Sequence, residues 1–164
     1  EPHLVRLRLI AALRGIVGAS IDEIRELVRM LDDPDESLYR IFGRAQLLGL
    51  GLPGECDSGL DDEPPEVTEL VEARGWTRAI EVRALLGAHV RSATAAGVPM
   101  DRAILTTYAD AAEHAARVDV EAVGRAGSRD EAVMMVAVGV HTHSRLLLRL
   151  LAVAQAGRAL DIAD

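Results

Sequence analysis

The chain contains no lysine; every basic residue is arginine. We read this as the codon bias of a GC-rich genome rather than as chemistry. Positive charge is in deficit, with 18 basic against 26 acidic residues and a formal net charge of −8. Nucleic-acid binding needs clustered cations to displace counterions from phosphate, and the chain as a whole lacks that excess. Aromatic residues are limited to Tyr39, Phe42, Trp76 and Tyr108. A core must therefore be built mainly from Leu, Ala and Val, which favours close-packed helices over sheet. Cys56 is the lone cysteine, so an internal disulfide is excluded and a reducing cytoplasm is the simplest compartment. Long apolar runs are missing as well. The longest, Ala132 to Val140, gives way to His-Thr-His-Ser-Arg, too short to span a bilayer, and no signal peptide opens the chain. The expectation is a cytoplasmic protein without a membrane segment.

Catalytic signatures are equally sparse. No glycine-flanked nucleophile elbow, phosphate loop or HExxH helix occurs. Asp110 and Glu113 lie one helical turn apart, a spacing common on solvated faces. His141 and His143 are two apart and so point about 200° away from each other on a helix, which prevents both from ligating one ion. A single thiol cannot build a soft-metal sensor. The reading is no enzyme, no metal site and no cofactor.

What the chain does have is 49% hydrophobic residues over 164 positions, enough for a buried core without staples. The pattern is helical from the start. Leu4, Leu7, Ile10 and Leu13 recur three apart, and Gly15 and Gly18 bracket a turn where a helix end needs a residue tolerant of positive φ. Ser20 and Glu23 have capping-box spacing, and Ile21, Ile24, Leu27, Val28 and Leu31 form the apolar stripe of the helix that follows. Asp33 and Pro34 suit the N-cap and first position of a third helix, carrying Leu38, Tyr39, Ile41, Phe42, Ala45 and Leu48 and ending at Gly49 or Gly51.

Residues 49–65 are rich in Gly, Pro and acid and read as a flexible linker. Beyond them the pattern predicts a short helix, Val67 to Ala73, then Gly75-Trp76 and a helix from about Arg78 to Ala96. Asp101 caps a helix carrying Ile104, Leu105, Tyr108, Ala111, Ala112 and Ala115. A second capping box, Ser128 to Glu131, opens a last helix towards Ala156. It is apolar nearly all round through Ala132 to Val140, and should be central in its domain.

The arginine-rich apolar helix, the glycine turn and Ser20-Ile21-Asp22-Glu23-Ile24-Arg25-Glu26-Leu27 together resemble the MerR family of bacterial transcription regulators, in the part that follows their DNA-reading helices and wing. The second half strengthens this for the actinobacterial type, through Tyr108-Ala109-Asp110-Ala111-Ala112-Glu113 and its continuation to Val120, and through the stretch Arg145 to Gln155. The family's upstream helix-turn-helix is not in this chain. The resemblance implies an all-α protein, with residues 1–48 forming the remainder of a DNA-binding region plus a dimerisation helix and residues 66–164 a helical effector-binding domain. It implies a homodimer paired through Leu38, Tyr39, Ile41, Phe42, Ala45 and Leu48, although a plain third core helix is the alternative. It also implies promoter DNA as partner of the full-length protein, with effector binding favouring a twisted promoter state.

Arg6, Arg8, Arg14, Arg25, Arg29 and Arg40 fall within the first forty residues. Arg6 and Arg14 are the candidates for phosphate contact, against the reading that all are solvated helix faces. An effector site between helices would use large or adaptable side chains: Trp76, Tyr108, His114, Met134, Met135 and His141. The competing reading has Trp76 and both methionines simply filling core. A second functional class stays open, a stand-alone helical module that sequesters a drug or metabolite.

Overall fold

A computed structural model describes residues 2–54 and 60–163. Cys56 lies outside the described residues. Among those described there is no strand, and the chain is all-α. Seven α-helices follow one another: α1 (Pro2–Ala12), α2 (Ile21–Asp32), α3 (Leu38–Leu50), α4 (Pro65–Arg74), α5 (Ile80–Ala95), α6 (Arg102–Val123) and α7 (Arg129–Ala163). They form two compact units. A terminal unit comprises Glu1–Leu52 and Asp119–Asp164, and a middle unit comprises Pro53–Val118. The expected division into a 1–48 arm, a linker and a 66–164 domain is thus not how the chain groups. The last helix packs with the N-terminal helices rather than with α4 and α5, because its apolar residues are matched by those of α1 and α3.

In the terminal unit, α1 does not stop at a glycine turn. It continues as a wider π-helical turn, Leu13–Val17, and Gly18 at φ +81° ends it. Only Gly18 needs the left-handed backbone; Gly15 lies within the π turn. The buried side chains are Leu9 and Leu13, whereas Leu4 and Leu7 are exposed. A strict spacing of three drifts about 60° per step around a helix, so that set never shared one face with the core. The capping box forms as its spacing requires: Glu23 N–H donates to Ser20 Oγ at 3.2 Å and Ser20 N–H donates to Glu23 Oε2 at 2.8 Å. The Ser20 N–H first, and then the Ser20 hydroxyl donating to the same carboxylate at 2.7 Å, hold the Glu23 carboxyl below its usual range.

From α2 the chain buries Ile24, Leu27, Met30 and Leu31, while Ile21 at the first turn is exposed. Asp33 caps a tight turn, accepting from Asp35 N–H at 2.9 Å, and Ser37 takes over as N-cap of α3. Gly51 at φ +69° closes that helix. Gly49, two residues earlier, serves packing instead: a Cβ there would lie 2.6 Å from the Ala137 carbonyl oxygen. Absence of that Cβ lets the α3 and α7 backbones approach.

Helix α7 does two things. Its first half is central to the terminal unit, with Ala132, Val133 and Ala137 buried. Ser128 caps it through Glu131 N–H, but the Glu131 carboxylate bonds Gly127 N–H rather than Ser128, so the capping box is only half made. Arg6, midway along α1, links the end of α2 and the start of α7 by pairing with Asp32 at 2.8 Å and with Asp130. The helix then runs unbroken through His-Thr-His-Ser-Arg to Ala163. Read as one element, Arg129–Ala159 is long and apolar enough to cross a membrane by length and composition, with a window of mean hydropathy 1.2, of which 11% is buried. The sequence reading carried this helix to Ala156 but counted only Ala132 to Val140 as its apolar run, and so found nothing long enough to span.

The middle unit is smaller. Val67, Val71, Val90 and Leu105 are buried, with Leu70, Trp76, Leu86 and Met100 packed against them. Gly75 at φ +69° ends α4, and Asp101 caps α6 by accepting from Ile104 N–H at 3.0 Å. No side-chain cap opens α5.

Candidate functional site

The expected effector residues are divided between the two units. Trp76, Tyr108 and His114 belong to the middle unit, and Met134, Met135 and His141 to the terminal unit. Trp76 packs on the middle core, with the Arg74 guanidinium 5.7 Å from its ring centroid. Tyr108 and His114 are both exposed. Met134 packs against the terminal core and His141 is buried. His143 faces outward and pairs with Asp119. The two histidines therefore point apart, and among the described residues no group of His, Cys, Asp and Glu could hold a metal ion.

The expected dimer residues divide in a similar way. Ile41, Ala45 and Leu48 are inside the terminal core, Phe42 is half-buried against it, and only Leu38 and Tyr39 are exposed. Of the arginines expected to meet phosphate, Arg6 is committed to Asp32 and Asp130, and Arg14 donates to the Ala19 carbonyl at 3.0 Å.

A different place offers a site. The middle unit contains an open cleft of about 830 Å³. One wall is the turn and helix start from Asp61 to Glu66, and the other is the second half of α5, with Val90, Arg91, Thr94 and Ala95. Met100 and Asp101 close one end. The sequence reading had placed 49–65 as linker, and for that reason missed this wall. What rigidifies the described part is ionic. Glu63 is almost fully buried (4% exposed) and accepts from Arg83 Nε at 2.6 Å and from Thr68 Oγ1 at 2.6 Å. The Arg83 bond chiefly holds the Glu63 carboxyl below its usual range, against the opposing effect of burial. Arg91 donates to the Asp62 carbonyl at 2.6 Å and ties the two walls together. The Pro64 turn lies against α5 at Gly87, where a Cβ would meet the proline ring at an ordinary contact distance of 3.5 Å.

The cleft is thus apolar at Val90, Ala95 and Met100, and ringed by Asp61, Asp62, Glu66 and Asp101. Glu63 is neutralised by Arg83, and among the described lining residues Arg91 is the one cation. Such a surface favours a cationic or neutral amphipathic ligand and repels anions. The sequence carries no local signal for this wall: Arg83 lies within the helix predicted from Arg78, and its pairing with Glu63 across twenty residues leaves no periodicity. Asp110 and Glu113 are also engaged, both by Arg74, at 2.6 Å for Glu113; this lowers the Glu113 carboxyl and braces α4 against α6.

No family model matches this chain, and no match was found among curated proteins or among solved structures.

Proposed function

We propose that this chain is the dimerisation and effector-binding portion of a MerR-like transcription regulator, and that the cleft of the middle unit is its effector site. The observation that carries the effector half of this reading is that cleft, with its apolar floor, acidic rim and ion-paired wall at Glu63. The regulator half rests on the resemblance of residues 3–31 and its capping box. The ligand is a small organic cation or a neutral amphiphile. The protein catalyses no reaction, uses no cofactor and acts in the cytoplasm as a homodimer, with promoter DNA as partner of the full-length protein.

A second reading, a stand-alone module that sequesters a drug or metabolite, draws support from Arg6 and Arg14. Both are spent on intramolecular partners rather than presented to phosphate. The two readings share the cleft and part on DNA. A full-length chain with a recognition helix upstream would bind a palindromic promoter with steep salt dependence, whereas a sequestering module would bind ligand and no DNA.

The ligand claim is tested by thermal-shift screening against cationic, neutral and anionic small molecules. Cations and neutral amphiphiles should raise the melting temperature in proportion to occupancy. Thr94→Arg, which places bulk and positive charge in the cleft, should abolish the shift, and Tyr108→Ala should leave it intact. Hits confined to anions, or lost on Tyr108→Ala alone, would contradict the assignment.

A further inference from the structure

The two halves of α7 meet different surroundings. In the first, Val133, Ala137 and His141 are buried in the terminal unit. In the second, Leu146, Leu147, Leu148, Leu150, Leu151 and Val153 are between 37% and 71% exposed, and residues 145–159 are exposed throughout. One helix thus begins as core and ends as an apolar rod in water. Exposed apolar surface of that extent marks an interaction site.

Two features of the segment point to what covers it. The first is the placement of its apolar residues. At about 100° per residue, Leu146, Leu147, Leu150 and Leu151 span an arc of roughly 140°, and Val153 and Leu148 widen it on either flank. A single partner helix covers a narrower stripe than that. A bilayer surrounds whatever sinks into it, and so covers the arc whole. The second feature is charge. The chain carries −8 overall, yet no acidic residue occurs between Glu131 and Asp161, where Arg145, Arg149 and Arg158 all fall. A cationic apolar stretch on an acidic protein complements an anionic lipid surface.

We propose that residues 145–159 are a membrane anchor that lies in the surface of an anionic bilayer, with the leucine arc in the acyl boundary and Arg145 and Arg149 among the headgroups. Those two arginines sit on the side of the helix away from the arc, so sinking the leucines leaves both guanidinium groups level with phosphate. Arg158 falls nearer the arc, close to the end of the segment, and its long stem carries the charge up to the same level. Length rules out a crossing. At about 1.5 Å per residue the segment runs roughly 22 Å, short of the roughly 30 Å of hydrocarbon, and the turns before it are committed to the core. Asp161 ends the acid-free stretch. The attachment uses neither the cleft nor α3, and holds whether or not the chain regulates transcription.

Co-sedimentation of the whole chain with lipid vesicles tests the anchor. Vesicles of phosphatidylcholine and phosphatidylglycerol in equal parts should bring the chain down, less so as salt rises, and pure phosphatidylcholine should retain far less. Leu147→Glu/Leu150→Glu should abolish binding with helicity by circular dichroism unchanged. Leu4→Glu/Leu7→Glu, a similarly exposed apolar pair on α1, should leave it intact. Arg145→Gln/Arg149→Gln should weaken binding to the anionic vesicles roughly 30-fold, the effect of two arginines at a charged surface. Orientation is read in a Cys56→Ser background, with an environment-sensitive fluorophore on Leu150→Cys or Ala156→Cys. Emission should rise on vesicles at position 150 and stay low at position 156, which faces the headgroups. A chain left in solution by anionic vesicles overturns the proposal, as does binding indifferent to Leu147→Glu/Leu150→Glu or an equal rise at both labelled positions. So does a chain that is dimeric without lipid and monomeric on that substitution, which would assign the face to a second copy.

Discussion

The terminal unit buries Leu9, Leu13, Leu27, Ile41 and Val133 completely, and its polar links, such as Arg6 to Asp32 and Asp130, join neighbouring helices outside that core. The middle unit buries Val67, Val71, Val90 and Leu105 and adds one buried ion pair, Glu63 with Arg83, while Arg74 reaches the more exposed Asp110 and Glu113. The difference is one of means. A leucine-rich core is stabilised by area removed from water and tolerates no cavity, whereas a small core with buried charge depends on both partners of each pair remaining ionised. The rigid unit suits assembly, and the unit held by titratable groups holds the cleft.

The comparison can be broken first at its strongest point. Leu27→Ala should destabilise the terminal unit by about 3–4 kcal/mol through lost burial and the cavity left behind, leaving ligand-dependent protection of the cleft measurable by hydrogen exchange. A next-largest effect, about 2 kcal/mol, is expected for Glu63→Gln, which removes a charge-assisted bond from a buried acceptor. Its pH dependence sharpens the contrast. The folded carboxyl of Glu63 is depressed, so the unfolded chain takes up a proton first as pH falls. The stabilisation is therefore complete above the ordinary glutamate value of about 4.3 and is lost as pH falls through the lower folded value. Acid melting should show that loss in the wild type and not in Glu63→Gln.

Ser20→Ala should cost about 1 kcal/mol by removing the N-cap of α2, with the change confined to the terminal unit in a denaturant titration. A small effect of opposite sign is expected at Arg44. Its guanidinium is 13% exposed and bonds Glu26 at 2.8 Å, yet Nε and Nη1 are buried with no partner among the described residues. Arg44→Met should raise stability, by about 1 kcal/mol, since Glu26 is half-exposed and keeps its water. A loss on that substitution would show that the terminal unit, too, relies on buried charge.

What the sequence made legible follows from range. The helical class, the Ser20–Glu23 box, Gly18, Gly51, Gly75 and the Asp101 cap are set within four residues of themselves, and each is found in the fold. The apolar girdle of Ala132 to Val140 announced a surrounded helix, and its Val133 and Ala137 are fully buried. Which helices surround it was hidden, because pairing between α3 and α7 spans some ninety residues and leaves no periodic trace; its one local mark, Gly49, looked like a helix end. The site was harder still. Large side chains such as Trp76 and Met134 drew attention by type and proved to be packing, while the cleft wall at Asp61 to Glu66 lay in a stretch whose composition reads as linker.

Amide hydrogen exchange of the whole chain, with and without a ligand found by the thermal screen, tests the division of labour most directly. The account expects added protection across residues 61–67 and 90–101, with residues 9–48 and 132–141 unchanged. Protection instead around Tyr108 and His114 or around Met134 to His141, with the cleft segments unaltered, would contradict it.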